Sequence, residues 1–191
     1  MTDTRLDLGE GDFLKLRRLP AQLLERPFEP LWALHPDHFH EVMMFGRKTP
    51  TPRWQQAYGR PYRYSGTVHP ALPVPPLVRP FLDWARAEVD ARYDALLLNW
   101  YDAAEGHYMG PHRDDVRDLV PGSSVLTVSL GATRTLRMRR WKGKRRTDLS
   151  LEHGTAVVIP WATNLRWTHE VLRGPRDGGR RVSVTLRCFR P

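Results

Sequence analysis

The sequence predicts an α+β fold, an antiparallel sheet sandwich or barrel with helices packed on one side. Three observations predict it. From Asp94 onward six strand-like runs, "DALLLNWY", "SSVLTVSLG", "RTLRMRRW", "GTAVVIPW", "LRWTHEVL" and "RRVSVTLRCF", follow at the spacing of such a sheet. The first half carries helical signals instead. A length of 191 residues, 40 % apolar and 10 % aromatic, suits one sizeable core and not two full domains.

Taken in order, residues 1–12 read as a flexible N-terminal extension to a single domain over 13–191, with a lid at 40–70 and a β core at 95–191. "DFLKLRRL" reads as a first strand, and "PAQLLERPFEPLWAL" as helical despite its prolines. "HFHEVMMFG" looks extended and stops at Gly46. The following "RKTPTPRWQQAYGRPYRYS" has no clean helical or strand period; irregular segments of that length tend to be lids or binding loops. In "PPLVRPFLDWARAEVD", Leu77, Phe81, Leu82, Trp84, Ala85 and Val89 recur at the spacing of an amphipathic helix laid on a sheet. "SSVLTVSLG" alternates, setting Leu126, Val128 and Leu130 against Val125, Thr127 and Ser129. No apolar run reaches about 18 residues and "MTDTRLDLGEGDF" has no signal-peptide pattern, so a cytoplasmic protein without a membrane partner is expected, by default a monomer. The single cysteine, Cys188, excludes an internal disulfide and a Cys-rich zinc site, and reads as a small buried hydrophobe.

The net charge of +9 favours a polyanionic partner. It concentrates in "RTLRMRRWKGKRR", where Arg134, Arg137, Arg139, Arg140, Lys142, Lys144, Arg145 and Arg146 fall close together; a solvated hairpin is the plainer account of such a run. The last strand is less ordinary. Val182, Val184 and Leu186 point one way, while Arg181, Ser183, Thr185 and Arg187 point the other. If the apolar side meets the helices, the two guanidinium groups face the interior of the sandwich and need an anion there.

"NWYDAAEGHYMGPHRDD" sets His112 two residues before Asp114, an arrangement that suits a pair of metal ligands. Candidates for a third are His169 in "LRWTHEVL", His153 before a glycine, His107 in the same loop, and the distant His35, His38 and His40. Two imidazoles and a carboxylate with open positions form the facial triad of non-haem Fe(II) oxygenases, although a hydrolytic zinc centre uses the same ligand types. The arginine strand favours iron. A co-substrate with one carboxyl end on the metal and the other on a buried arginine accounts for both features.

These residues resemble the AlkB family of Fe(II)- and 2-oxoglutarate-dependent dioxygenases over roughly Phe45 to Arg190. The resemblance rests on "NWY", "HRDD", "TVSLG", "LEHG", "WTHEV" and "RVSVTLR" in the family's order and approximate spacing. It implies a double-stranded β-helix (jelly-roll, cupin-like) core, with N-terminal helices on one side and a nucleotide-recognition lid. It further implies Fe(II) on His112, Asp114 and His169, and 2-oxoglutarate on Asn99, Tyr101, Arg181, Ser183 and Arg187, with Arg181 at the distal carboxylate. Ser183 stands where Asn is frequent in the family, so a weaker contact is expected there.

The resemblance is nearest to duplex DNA-repair members, through "MFGRKTPTPRWQQAYG" and "YRYSG". It implies oxidative demethylation of N-alkylated bases with O2, releasing formaldehyde, succinate and CO2, and alkylated DNA as the nucleic-acid partner. Tyr64 would stack on a flipped base against His112, Tyr62 would lie beside it, Asp115 would face its exocyclic group, and Phe45 would fill the gap left in the duplex. Arg137, Arg139, Arg140 and Lys142 would grip phosphates. Val116 stands where several duplex-repair relatives carry a third acid, which bears on base selectivity. The alternatives are the same centre acting on a protein, lipid or small molecule, a nucleic-acid-binding protein with an inactive centre, and a zinc hydrolase.

Overall fold

A computed structural model describes residues 3–44, 46–64 and 67–191. The chain opens with a hairpin, β1 (Thr4–Gly9) and β2 (Asp12–Arg18), then two short helices, α1 (Ala21–Leu24) and α2 (Phe28–Trp32). Next come β3 (Glu41–Met44), β4 (Arg47–Pro50), β5 (Trp54–Tyr58), β6 (Tyr62–Tyr64), β7 (Thr67–His69), β8 (Ala71–Leu72) and helix α3 (Arg79–Glu88). The second half holds β9 (Ala95–Asp102), β10 (Met109–His112), β11 (Val125–Gly131), β12 (Arg134–Arg140), β13 (Arg146–Leu151) and β14 (Thr155–Ile159). Helix α4 (Trp161–Arg166), β15 (Trp167–Val171) and β16 (Arg180–Arg187) complete it.

The strands form a major sheet in the order β1-β2-β14-β11-β16-β9-β5-β8 and a minor sheet in the order β10-β15-β12-β13. The expected double-stranded β-helix is therefore present, with β16 near the middle of the major sheet. Every pairing within the two sheets is antiparallel except β5 with β8. Two pairs, β3/β4 and β6/β7, form separate two-stranded sheets.

Alternation along the strands divides the interior into two cores. Leu98, Trp100, Val128, Val182, Val184 and Leu186 face α3, burying Phe81, Leu82 and Ala85, and Trp100 Nε1 donates to Leu31 O of α2 at 2.9 Å. Between the sheets lie Tyr101, Met109, Leu136, Met138, Val157, Ile159 and Trp167. Period-2 patterning thus aims Arg181, Ser183, Thr185 and Arg187 between the sheets. Cys188 is fully buried, and burial pushes its thiol up to about 12. Among the described residues no helix is long and apolar enough to cross a membrane.

Three local expectations need correction. The 1–12 segment, expected as a flexible extension, supplies β1: Gly9, Glu10 and Gly11 take φ of 90°, 57° and 79° to turn the chain, and Leu8 is buried between the sheets. The stretch after Gly46, expected as irregular, holds β4, β5 and β6, strands of three to five residues separated by Pro and Gly and too short to show a period. The proline-rich helical segment splits in two because Pro20 and Pro27 take the N-cap positions of α1 and α2.

Candidate metal and co-substrate site

The site begins with the pairing of β10 and β15, which sets His112 opposite His169 with ring centroids 4.2 Å apart. Asp114 follows β10 and is fixed at its backbone by one side chain. Asn164 Oδ1 accepts from the Asp114 amide and Asn164 Nδ2 donates to Asp114 O, both at 3.0 Å. Ligand atoms of His112, Asp114 and His169 lie within 4.8 Å of one another, and this is the one such cluster among the described residues.

Charge state suits the cluster to a cation. Burial, then the neighbouring His169, pushes His112 down to about 3, and burial lowers His169 as well, so both imidazoles are uncharged at neutral pH. Nδ1 of His112 lies 3.0 Å from Gly110 O, so it carries the proton and leaves Nε2, 3.9 Å from Asp114 Oδ1, as the nitrogen with the lone pair a metal needs. Burial, the largest single influence, raises the Asp114 carboxyl, but the Arg187 guanidinium together with His169 and His112 outweighs it and holds the group well below the usual carboxylate range. Arg187 Nη2 reaches Asp114 Oδ1 at 2.9 Å and Nε reaches Oδ2 at 3.3 Å.

From this cluster a cavity runs between the sheets. Its floor is ruled by register. Ser183 of β16 pairs with Asn99 of β9 and Ser129 of β11; Arg181 pairs with Tyr101 and Gly131; Thr185 pairs with Leu97 and Thr127. Arg181 is 1 % exposed, its Nε donates to Ser129 Oγ at 2.8 Å, and its Cζ lies 4.9 Å from the Tyr101 ring centroid. Its Nη1 is buried with no hydrogen-bond partner. Burial lowers the Arg181 pKa, the sign of a desolvated cation that no carboxylate compensates. Arg53, Arg181 and Arg187 line the cavity with no acidic side chain among its walls. A dianion with one end at Arg181 and the other near Arg187 and the metal fits that charge and those orphaned protons.

Asn99, Tyr101, Arg181, Ser183 and Arg187 therefore all line one cavity, and His112 and His169 close one end of it. Arg53 was missed. It is 2 % exposed, and its guanidinium donates to Asn99 Oδ1 at 2.8 Å and Gln55 Oε1 at 2.9 Å. Its signal was the alternation of Arg53, Gln55 and Ala57 against Trp54 and Gln56, hidden in a segment dense in proline.

A second, outer cleft opens on the other side of His112 and Asp114. Tyr62 lines both spaces, with Arg187 Cζ 4.5 Å from its ring centroid. Asp115 lines the outer cleft but is tied to Arg117 through both carboxylate oxygens. Tyr64 lies on β6, and Phe45 lies outside the described residues.

The basic run is placed differently from the expectation. Leu136 and Met138 take the inward positions of β12, so Arg137 and Arg139 point away from both spaces. Arg137 pairs with Asp148 at 2.6 Å, Arg139 with Glu170 at 2.6 Å, and Arg140 with Glu10 at 2.9 Å and Asp12 at 3.4 Å. Lys142 occupies the turn after β12 with φ of 59° and is exposed. The cationic side chains on the cleft are instead Arg63, Arg113 and Arg117.

Comparison with known proteins agrees with this geometry. Residues 13–187 match the model of the 2OG-Fe(II) oxygenase superfamily. The chain is 33 % identical over 162 residues to the DNA oxidative demethylase ALKBH2 of Mus musculus, covering 79 % of this chain and 67 % of that protein. It is 32 % identical over 157 residues to the Homo sapiens protein of that name, covering 76 % and 60 % respectively. With alpha-ketoglutarate-dependent dioxygenase alkB homolog 3 of Rattus norvegicus the identity is 29 % over 153 residues, 74 % of this chain and 52 % of that one. The chain thus spans about half to two thirds of the length of these relatives. The solved structure of OsALKBH1 superimposes with a TM-score of 0.59 at 15 % identity, covering 91 % of this chain and 97 % of that one, a likeness of fold.

Proposed function

The chain belongs to the 2OG-Fe(II) oxygenase superfamily and, within it, to the AlkB family, and on that premise we propose that it is an oxidative demethylase of N-alkylated bases in nucleic acid, with alkylated DNA as its substrate. The observation that carries the reading is one cavity with two unlike ends. At one end stand two neutral imidazoles and an ionised carboxylate; at the other is a buried guanidinium with an unsatisfied proton.

His112, Asp114 and His169 would hold Fe(II), and Arg181 would take the distal carboxylate of 2-oxoglutarate, with Tyr101 packed beneath its guanidinium. Asn99 has its Oδ1 committed to Arg53, which leaves its amide protons for the co-substrate, and Ser183 offers a hydroxyl in the same row. Arg187 keeps Asp114 ionised and aims one carboxylate oxygen. Leu97, Leu136, Ile159 and Val171 exclude water from the enclosed space. Bound Fe(II) with 2-oxoglutarate and O2 supplies hydroxylation of the N-methyl group, after which the N–C bond breaks to give formaldehyde and the free base, with succinate and CO2 as co-products. Tyr62, between the two spaces, and Tyr64 on the same hairpin would hold the flipped base over the metal.

Mass spectrometry of an oligonucleotide carrying one N-methylated base, incubated with enzyme, Fe(II), 2-oxoglutarate and air, tests this. Loss of one methylene mass, dependent on all three additions, is expected. An unchanged oligonucleotide alongside succinate formation would overturn the substrate and leave the oxygenase.

A further inference from the structure

One wall of the outer cleft carries a large apolar ring with no part in the chemistry at its floor. Trp141 is 48 % exposed, and its backbone N–H donates to Arg166 O at 2.8 Å. Arg113 sits one residue from each of His112 and Asp114. It lays Cζ 4.5 Å from the Trp141 ring centroid and donates from Nη1 to Leu165 O at 2.8 Å. Leu165 is itself 41 % exposed on the same cleft. Three chain segments thus converge to hold one indole half in water, backed on one side by a cation. Exposed apolar groups rimmed by charge mark interaction sites.

We propose that Trp141, backed by Arg113, is a stacking platform for the nucleobase adjacent, on the same strand, to the one being demethylated. The proposal rests on the nucleic-acid reading above. A flat aromatic face accepts any base, and Arg113 lines the same cleft as Trp141, His112 and Asp114, so its charge suits the phosphate that links the two nucleotides. Arg113 ties the platform within one residue of the candidate ligands, so its occupant is the neighbouring nucleotide and not a distant one. A base on Trp141 has left its own stack, so the enzyme should favour unpaired or loosened strands.

The test is a cycle of binding measurements by fluorescence anisotropy, on Mn(II)-loaded protein with labelled single-stranded oligonucleotides. Each carries one N-methylated base and either an intact or an abasic nucleotide on its 5′ or 3′ side. Trp141→Ala is expected to weaken binding of the intact oligonucleotide by about tenfold. The loss should shrink to about twofold or less when the neighbour on one side is abasic. Trp141→Phe should recover most of the affinity. An equal loss with intact and abasic neighbours on both sides indicates a purely structural tryptophan and overturns the proposal, as does no loss at all. If the unaltered protein binds no oligonucleotide, the nucleic-acid reading falls with it; binding without the coupling sinks the platform alone.

Discussion

Arg181→Met separates a co-substrate clamp from a structural arginine, because the two roles predict opposite signs. Arg181 is 1 % exposed, its Nη1 has no partner, and its Nε donates to Ser129 Oγ. Replacing it with an apolar chain of similar length removes a desolvated charge, and the lost hydrogen bond returns only about 1 kcal/mol. The co-substrate-free protein should therefore keep or raise its Tm. Binding should suffer in the other direction. Truncating one side of a buried charge pair costs roughly 2–5 kcal/mol, so KM for 2-oxoglutarate should rise by about 30-fold or more. Thermal unfolding of the Mn(II)-loaded protein reads both effects. At about 100 Kd of 2-oxoglutarate the unaltered protein gains about 2.7 kcal/mol, or about 5–10 °C in a chain of this size, and the variant at that concentration should gain no more than about 0.9 kcal/mol, or about 2–3 °C. A variant whose Tm falls by several degrees without ligand, yet still responds fully to 2-oxoglutarate, would refute the reasoning.

His169→Ala should abolish turnover while leaving the metal-free Tm nearly unchanged, whereas Asp114→Ala strands Arg187 without its carboxylate and should cost about 3–5 kcal/mol in thermal or denaturant unfolding. Asn164→Ala, which frees the Asp114 backbone, should weaken metal binding by about 10–100-fold in a chelator competition. Burial depresses His112 to about 3 and lowers His169, so the unfolded chain takes up protons near pH 6.5 that the folded chain refuses. Stability of the metal-free protein should then be full above about pH 6.5 and fall on acidification, by up to about 1.4 kcal/mol per pH unit for each histidine, visible as a sliding Tm from pH 7.5 to 5. Lys142→Ala should reduce the salt slope of oligonucleotide binding by about 0.9, and Arg137→Ala by much less, because Asp148 already engages it.

The last strand was the most legible part of the molecule. Its alternation places Val182, Val184 and Leu186 in the helix-side core and Arg181, Ser183, Thr185 and Arg187 on the cavity, since a strand has only two faces. His112 and Asp114 were legible for the same local reason. His169 needed the family resemblance, because a third ligand contributed across strands leaves no spacing to read. The basic run shows the limit most clearly. Arg137, Arg139 and Arg140 are neutralised by Asp148, Glu170, Glu10 and Asp12, carried on β13, β15 and the N-terminal hairpin, and that pairing exists only once the strands have met. Arg53 was lost for a different reason: β5 holds five residues between Pro52 and Gly59, too few for a period to emerge.

The central claim is that one enclosed centre couples 2-oxoglutarate turnover to demethylation of a nucleic-acid base. The most direct measurement counts succinate and formaldehyde from a single reaction on an oligonucleotide bearing one N-methylated base, beside His169→Ala. Equal amounts of the two products from the unaltered protein, and neither from the variant, are the predicted result. Formaldehyde formed without succinate, or turnover that survives in His169→Ala, would contradict the claim.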